Sequence, residues 1–181
     1  MKALVLLADG FEEVEGLTQV DFLRRGGLAV TSASIHDTKM VTGAHNIRVE
    51  ADALLSDVNA DDFDIVILPG GGNGTINLGR SKAVVDILHK FADENKWLAA
   101  ICAAPSVFGD NGLLKGKKCT CYPGFESHLT GGQLSTDEVV VDGKFITSRG
   151  PGTAIAFALK IIELLVSKEA ATEVGKDCLY L

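Results

Sequence analysis

Residues 97–107 read WLAAICAAPSV: a short, wholly apolar run, then Cys102, then small residues, then Pro105. An apolar run of this length suits a strand buried on both faces of a sheet. Proline is tolerated only in the first turn of a helix, so a helix is expected to begin near Pro105. Cys102 therefore sits where a buried strand becomes a helix.

The same pattern recurs in the other direction along the chain. KALVLLA at residues 2–8 is a buried strand closed by Asp9-Gly10, and DFDIVILPGGG at 62–72 repeats it, with a turn at Pro69 to Gly72. LAVTSASI at 28–35 adds a strand, and the segment from Met40 to Val49, interrupted by Gly43, reads as a small hairpin or an edge excursion. Helices alternate with these strands. From Glu12, Val14, Leu17, Val20 and Leu23 recur at spacing three, with acids leading and Arg24-Arg25-Gly26-Gly27 closing. A second helix is expected over Ser81 to Glu94, and PGTAIAFALKIIELLVS at 151–167 closes the chain with another, Ala156, Leu159, Ile162 and Leu165 along one side. CTCY, VVVDG and KFITS supply further strands, the last two joined at Asp142-Gly143.

Strands alternating with helices predict an α/β fold, a doubly wound and mostly parallel sheet with helices on both faces, in one domain over residues 1–181. In such sheets ligands bind at the carboxyl ends of the strands, near the switch point in strand order. Asp9-Gly10, Pro69 to Gly72 and Cys102 end three separate strands, which is what one shared site requires.

Composition narrows the function. With 17 basic and 24 acidic residues the formal charge is -7, and no basic run offers a surface for phosphate, so nucleic acid is not an expected partner. No stretch is long and apolar enough for a membrane span, and the N-terminal run meets Asp9 and three glutamates too soon for a signal peptide. A cytoplasmic protein is expected. Cys102, Cys119, Cys121 and Cys178 include no CxxC and read as thiols in a reducing compartment. His36, His45, His89 and His128 are scattered without ligand spacing, so neither a metal nor a cofactor is expected.

A cysteine at a strand-to-helix turn lies near unpaired helix N–H groups, which favour thiolate. The bland alternative is a small buried hydrophobe. Ala99, Ala100, Ala103 and Ala104 leave room for the tight turn of a nucleophile, and this favours the reactive reading. Gly70, Gly71 and Gly72 let backbone N–H groups approach an oxyanion or an oxidised sulfur. One of Glu12, Glu13 and Glu15 is expected to turn inward and share a proton with the sulfur, and spacing does not choose among them.

ADGFEEVE, ILPGGGNGTINL, AAICAAP and TSRGPGTAIAFAL, taken in order, resemble the ThiJ/PfpI superfamily, specifically its small redox-responsive branch, which includes a parkinsonism-associated deglycase and chaperone. The likeness spans essentially the whole chain. It implies that Glu15 is the partner of Cys102, hydrogen-bonding the sulfur as a neutral acid and accepting the sulfinate that forms on oxidation. It also implies that Gly71 and Gly72, with Ala103, bind the anion, and that the protein forms a homodimer with its first helix near the interface. Where related members carry a histidine before a proline, this chain has Tyr122 before Pro123. An arginine that holds anions in relatives is replaced by His45, while Arg25 keeps a second basic position. The resemblance implies a glyoxalase-like or deglycase-like activity on methylglyoxal or its adducts, or alternatively a redox sensor or stress-protective chaperone signalling through oxidation of Cys102. An intracellular protease or amidase is less favoured, because Ala103 stands where the protease-like branch has histidine and no His-Glu pair follows Ser148.

Overall fold

A computed structural model describes residues 1–181. In chain order the elements are β1 (Lys2–Leu7), α1 (Glu13–Arg25), β2 (Ala29–Ser34), β3 (Met40–Thr42), β4 (Arg48–Glu50), β5 (Ala53–Leu54), β6 (Ile65–Leu68), α2 (Gly72–Arg80), α3 (Lys82–Asp93), β7 (Trp97–Ile101), α4 (Pro105–Asp110), β8 (Lys118–Cys119), β9 (Gln133–Leu134), β10 (Val139–Asp142), β11 (Phe145–Ser148), α5 (Ala154–Leu165) and α6 (Lys168–Asp177). The fold is α/β. Seven strands form one sheet in the order β10-β11-β7-β6-β1-β2-β5, parallel throughout except where β10 pairs antiparallel with β11.

The expected alternation of strand and helix is what the chain builds. Successive side chains of a strand point to opposite faces, so Ala3, Val5 and Leu7 of β1 enter one apolar core while Leu4, Leu6 and Ala8 enter another. The first core lies under α1 and α5, the second under α3 and α4. Both faces are covered, which is why the strands read as continuous apolar runs. From β1 the chain winds outward through β2 to β5, then returns to place β6 on the other side of β1. The switch point is therefore the crevice between the carboxyl ends of β1 and β6, with the end of β7 next to it.

One open choice is settled and three elements depart from expectation. Residues Met40 to Glu50 form a separate antiparallel ribbon of β3 and β4, which settles the choice between hairpin and edge excursion. The turn expected at Pro69 to Gly72 ends one residue sooner, because Gly72 opens α2, a helix to Arg80 that the sequence does not mark; its three glycines favour helix weakly, and tertiary contacts override that preference. CTCY contributes only Cys119 to a strand. The last helix stops at Leu165, and Ser167 caps a further one, α6, by accepting from the Ala170 N–H at 3.1 Å.

In α1 the buried face is not the apolar stripe. Val14 and Leu17 are 52% and 38% exposed, while Glu15 and Gln19 are fully buried beside Phe22 and Leu23. Residues 15, 19, 22 and 23 fall on one face at helical spacing, so the helix turns a polar pair into the protein. Gln19 Nε2 donates to the Ala154 carbonyl at 3.0 Å. Glu15 points the other way along the helix, to the switch point.

Candidate active site

Three strand ends converge at this crevice. After β1 the chain turns through Asp9 and Gly10, and after β6 through Pro69 to Gly71. The two turns lock together: Glu12 N–H donates to the Gly70 carbonyl at 2.9 Å and Gly74 N–H to the Gly10 carbonyl at 3.0 Å. Gly71 has φ 91°, and a Cβ there would stand 2.3 Å from the Gly10 oxygen, so only glycine fits.

Cys102 follows β7 with φ 66°, a left-handed conformation rare for a residue with a side chain. Such strain persists only where surrounding contacts hold it. Here Cys102 N–H donates to the Ser148 carbonyl at 3.0 Å and its own carbonyl accepts from Tyr122 N–H at 2.8 Å. The turn throws the side chain back over the glycines. A Cβ on Gly70 would lie 2.5 Å from Cys102 Cβ and 2.6 Å from Glu15 Oε2, so Gly70 is the floor on which both groups rest. The sequence offered Gly70 only as one of three loop glycines.

Of the three acids, Glu15 is the one beside the sulfur. Its Oε2 accepts the Gly70 N–H at 2.8 Å. Oε1 is sealed from solvent with no other partner, and the Cys102 thiol is the side chain that interacts with this carboxyl. Burial pushes the Glu15 carboxyl up to about 7, with the Gly70 hydrogen bond and the thiol working against it. Burial also pushes the Cys102 thiol up to about 12, reinforced by the charge of an ionised Glu15 and opposed by hydrogen bonds from the Gly71 and Ala103 N–H groups.

That direction corrects the expectation of a thiol lowered by a helix N-terminus. α4 begins three residues beyond the sulfur, at a proline without an N–H, and spans only six residues. Its dipole is weak, and burial outweighs it. The two values belong to one coupled pair. The first proton leaves near neutrality. The second is held far higher, because removing it would leave two adjacent anions in a dry site.

The remaining sequence candidates fall in different places. Gly71 and Ala103 aim their N–H groups at the sulfur, whereas Gly72 opens α2 with free space around its Cα. Tyr122 packs against Gly150 and is 46% exposed in a shallow groove with Arg149 and Pro151. Arg25 does not reach the site: it ends α1, about 15 Å along the axis from Glu15 at about 1.5 Å per residue, and pairs with Asp21 at 2.9 Å. His45 serves Glu13. Its backbone N–H and ring Nδ1 both lie 2.7 Å from that carboxylate, which is only 4% exposed. Burial works to raise Glu13, yet these bonds hold it below its ordinary value, and Glu13 in turn raises the His45 imidazole.

The histidines were scattered in sequence, but folding brings His45 to Glu12 and Glu13 with ligand-type atoms within 4.8 Å. The two bonds to Glu13 account for that arrangement without an ion. Cys119 and Cys121 are buried in the second core, whereas Cys102 belongs to the first. No helix is long and apolar enough to cross a membrane.

Comparison with known proteins agrees with this fold. The DJ-1/PfpI family model matches residues 1–164. Protein dj-1beta of Drosophila melanogaster is 43% identical over 98% of this chain and 96% of its own length. A protein of Pyrococcus abyssi named as a deglycase is 35% identical over 91% of this chain and 99% of its own. Among solved structures, oxidized Toxoplasma gondii DJ-1 superposes with a TM-score of 0.95 at 38% identity, over 99% of this chain and 98% of that one.

Proposed function

The chain belongs to the DJ-1/PfpI family, and from that premise we propose that it is a cysteine-dependent glyoxalase-like or deglycase-like enzyme acting on methylglyoxal or its adducts. One observation carries the reading: Glu15 and Cys102 lie together, nearly water-free, at the carboxyl ends of the central strands. A relative named as a deglycase supports it.

Near neutrality the pair keeps one proton. The sulfur is offered two backbone N–H groups and the carboxyl one, which favours thiolate beside a protonated Glu15. The thiolate adds to the aldehyde carbon, a C–S bond forms, and Glu15 gives its proton to the carbonyl oxygen, leaving a hemithioacetal. Glu15, now a carboxylate, moves the proton from the former aldehyde carbon to the neighbouring carbon through an enediol. The product is a thioester of lactate. Water hydrolyses it, releasing lactate and restoring the thiol, so the sum is methylglyoxal plus water to lactate.

The Gly71 and Ala103 N–H groups are the donors available to the developing oxyanion. Tyr122, in the place where relatives carry a histidine, supplies a hydroxyl at the rim and no base. The test is lactate formed from methylglyoxal by the purified protein against Cys102→Ser. Equal rates would end this reading.

A redox role is the second reading, favoured by the unpartnered Glu15 Oε1 and the two N–H groups around the sulfur. Two equivalents of peroxide would convert the thiolate to sulfinate and two waters, with the new oxygens taken by these donors. Intact mass after mild peroxide tests it: a gain of two oxygens confined to Cys102 supports the reading, and its absence removes it. We propose further that the protein works as a homodimer, with the exposed Val14 and Leu17 of α1 covered by the second copy.

A further inference from the structure

A histidine holds the turn after β1 from the side. β1 and β2 pair in parallel from Lys2 with Ala29 to Leu7 with Ser34, and the Leu7 carbonyl accepts from Ile35 N–H at 3.0 Å. A regular parallel ladder would run next from Asp9 N–H to the Ile35 carbonyl. A side chain takes that rung instead: Asp9 N–H donates to Nε2 of His36 at 2.9 Å. Nε2 accepts only when it carries no proton, so the ring is neutral with its hydrogen on Nδ1. Asp9 Oδ2 lies 3.9 Å from the same nitrogen, too long for a hydrogen bond, so the contact that counts is the one to the N–H.

Asp9 ties the turn to its neighbours. Its Oδ1 accepts from Thr42 N–H at 2.8 Å, and its carbonyl accepts from Asn77 Nδ2 at 2.8 Å. Gly10 then donates to the Thr42 carbonyl at 2.7 Å and accepts from Gly74 N–H at 3.0 Å. The Gly10 oxygen is pressed against Gly71, where a Cβ would stand 2.3 Å from it. Gly71 N–H is one of the two donors aimed at the Cys102 sulfur. A continuous path of contacts therefore joins imidazole to thiol, from His36 to Asp9, from the Asp9-Gly10 turn to Gly71, and from Gly71 to Cys102.

We infer that His36 is a positioning residue for the reactive cysteine: by accepting from Asp9 N–H it fixes the turn against which Gly71 packs, and so keeps the Gly71 N–H on the sulfur. The inference rests on the proposed reading of Cys102 and deepens it. His36 itself touches neither sulfur nor substrate. Without its acceptor, β1 loses the rung nearest the site and the turn gains play. A donor that works over a narrow range of distance and angle is then less often in line. Thiolate loses stabilisation relative to thiol, and the proton shared with Glu15 shifts toward the sulfur. A different side chain with an acceptor in the same place would serve as well. Glutamine offers one, because its Oε1 reaches about as far from the backbone as Nε2 of histidine.

The test reads thiol reactivity, so it does not depend on turnover. Rates of iodoacetamide alkylation at Cys102 are compared across pH for wild type, His36→Leu and His36→Gln. His36→Leu is expected to react about two- to tenfold more slowly between pH 8 and 9, the net worth of one hydrogen bond, with its inflection moved to higher pH. His36→Gln is expected to recover most of the rate. A His36→Leu profile equal to wild type overturns the inference, and so does a loss that glutamine fails to restore, which would assign the effect to packing of the ring. Thermal melts check that both variants fold. Should either fail to fold, the wild type decides: nitrogen NMR at pH 8 is expected to show scalar coupling between the Asp9 amide nitrogen and His36 Nε2, with the ring hydrogen on Nδ1. A hydrogen on Nε2, or no coupling, overturns the inference. Lactate formation from methylglyoxal by the wild type is scored apart, since its absence ends the enzymatic reading and leaves the alkylation rates to judge His36.

Discussion

The carboxyl of Glu15 faces the thiol of Cys102 across a glycine floor, and its second oxygen has no other partner. Everything proposed for this protein follows from the proton these two groups share. Replacing Glu15 by Gln keeps the size and the contact with Gly70 but removes both the acid and its charge. Turnover is expected to fall by about 10²- to 10⁴-fold, the usual worth of a positioned acid-base group. The alkylation profile of Cys102 should lose its inflection near neutrality, because the proton that the pair shares is gone. Lactate assays and rates of iodoacetamide trapping across pH check both, and an unmoved profile would refute coupling.

Stability should report the same proton. The Glu15 carboxyl rises from 4.5 when unfolded to about 7 when folded, so the native state binds the extra proton and is favoured at low pH. That advantage is complete below about 4.5 and disappears as pH rises through about 7. The shift is worth about 3 kcal/mol as an order of magnitude. Urea unfolding of wild type and Glu15→Gln at pH 5 and pH 8 measures it. The difference between the two proteins should change by that amount, with wild type losing ground at the higher pH.

Two neighbouring glycines should behave oppositely. Gly70→Ala puts a methyl group 2.5 Å from Cys102 Cβ and 2.6 Å from Glu15 Oε2, and the backbone must shift. A loss of about 1–3 kcal/mol and of most activity is expected. Gly72→Ala meets open space at the first position of α2 and should stay within about 0.5 kcal/mol of wild type. Thermal melts and lactate assays on both compare the two positions directly.

Val14 and Leu17 lie exposed, three residues apart on α1. Their apolar surface suits a second copy of the chain, and Leu17→Glu should convert dimer to monomer in sedimentation equilibrium. A wild-type protein that sediments as a monomer at micromolar concentration would remove the proposed dimer.

The sheet was legible because buried parallel strands leave continuous apolar runs, and IVIL before Pro69 and WLAAI before Cys102 place both strand ends within a residue. α2 was hidden by Gly72, Gly74 and Gly79, whose helix is held by contact with the β1 turn, not by propensity. The face of α1 was misread for a related reason. Spacing marks Val14 and Leu17, but the site and α5 draw Glu15 and Gln19 inward, and buried polar residues leave no periodic apolar signal. Glu15 itself came from resemblance, since spacing treated the three glutamates alike. Asp9 and His36 are 27 residues apart and meet only because parallel pairing sets the end of β1 beside the end of β2. Arg25 came from resemblance alone, and within this chain it stands at the end of α1, where it pairs with Asp21.

The most direct test is the rate of alkylation of Cys102 in the wild-type protein against pH, read by mass spectrometry at that residue. The account predicts an inflection in that rate near pH 7, where the coupled pair gives up its first proton and thiolate beside a protonated Glu15 becomes populated. Reactivity that rises only above pH 9, as for an ordinary or more deeply protected thiol, would contradict it.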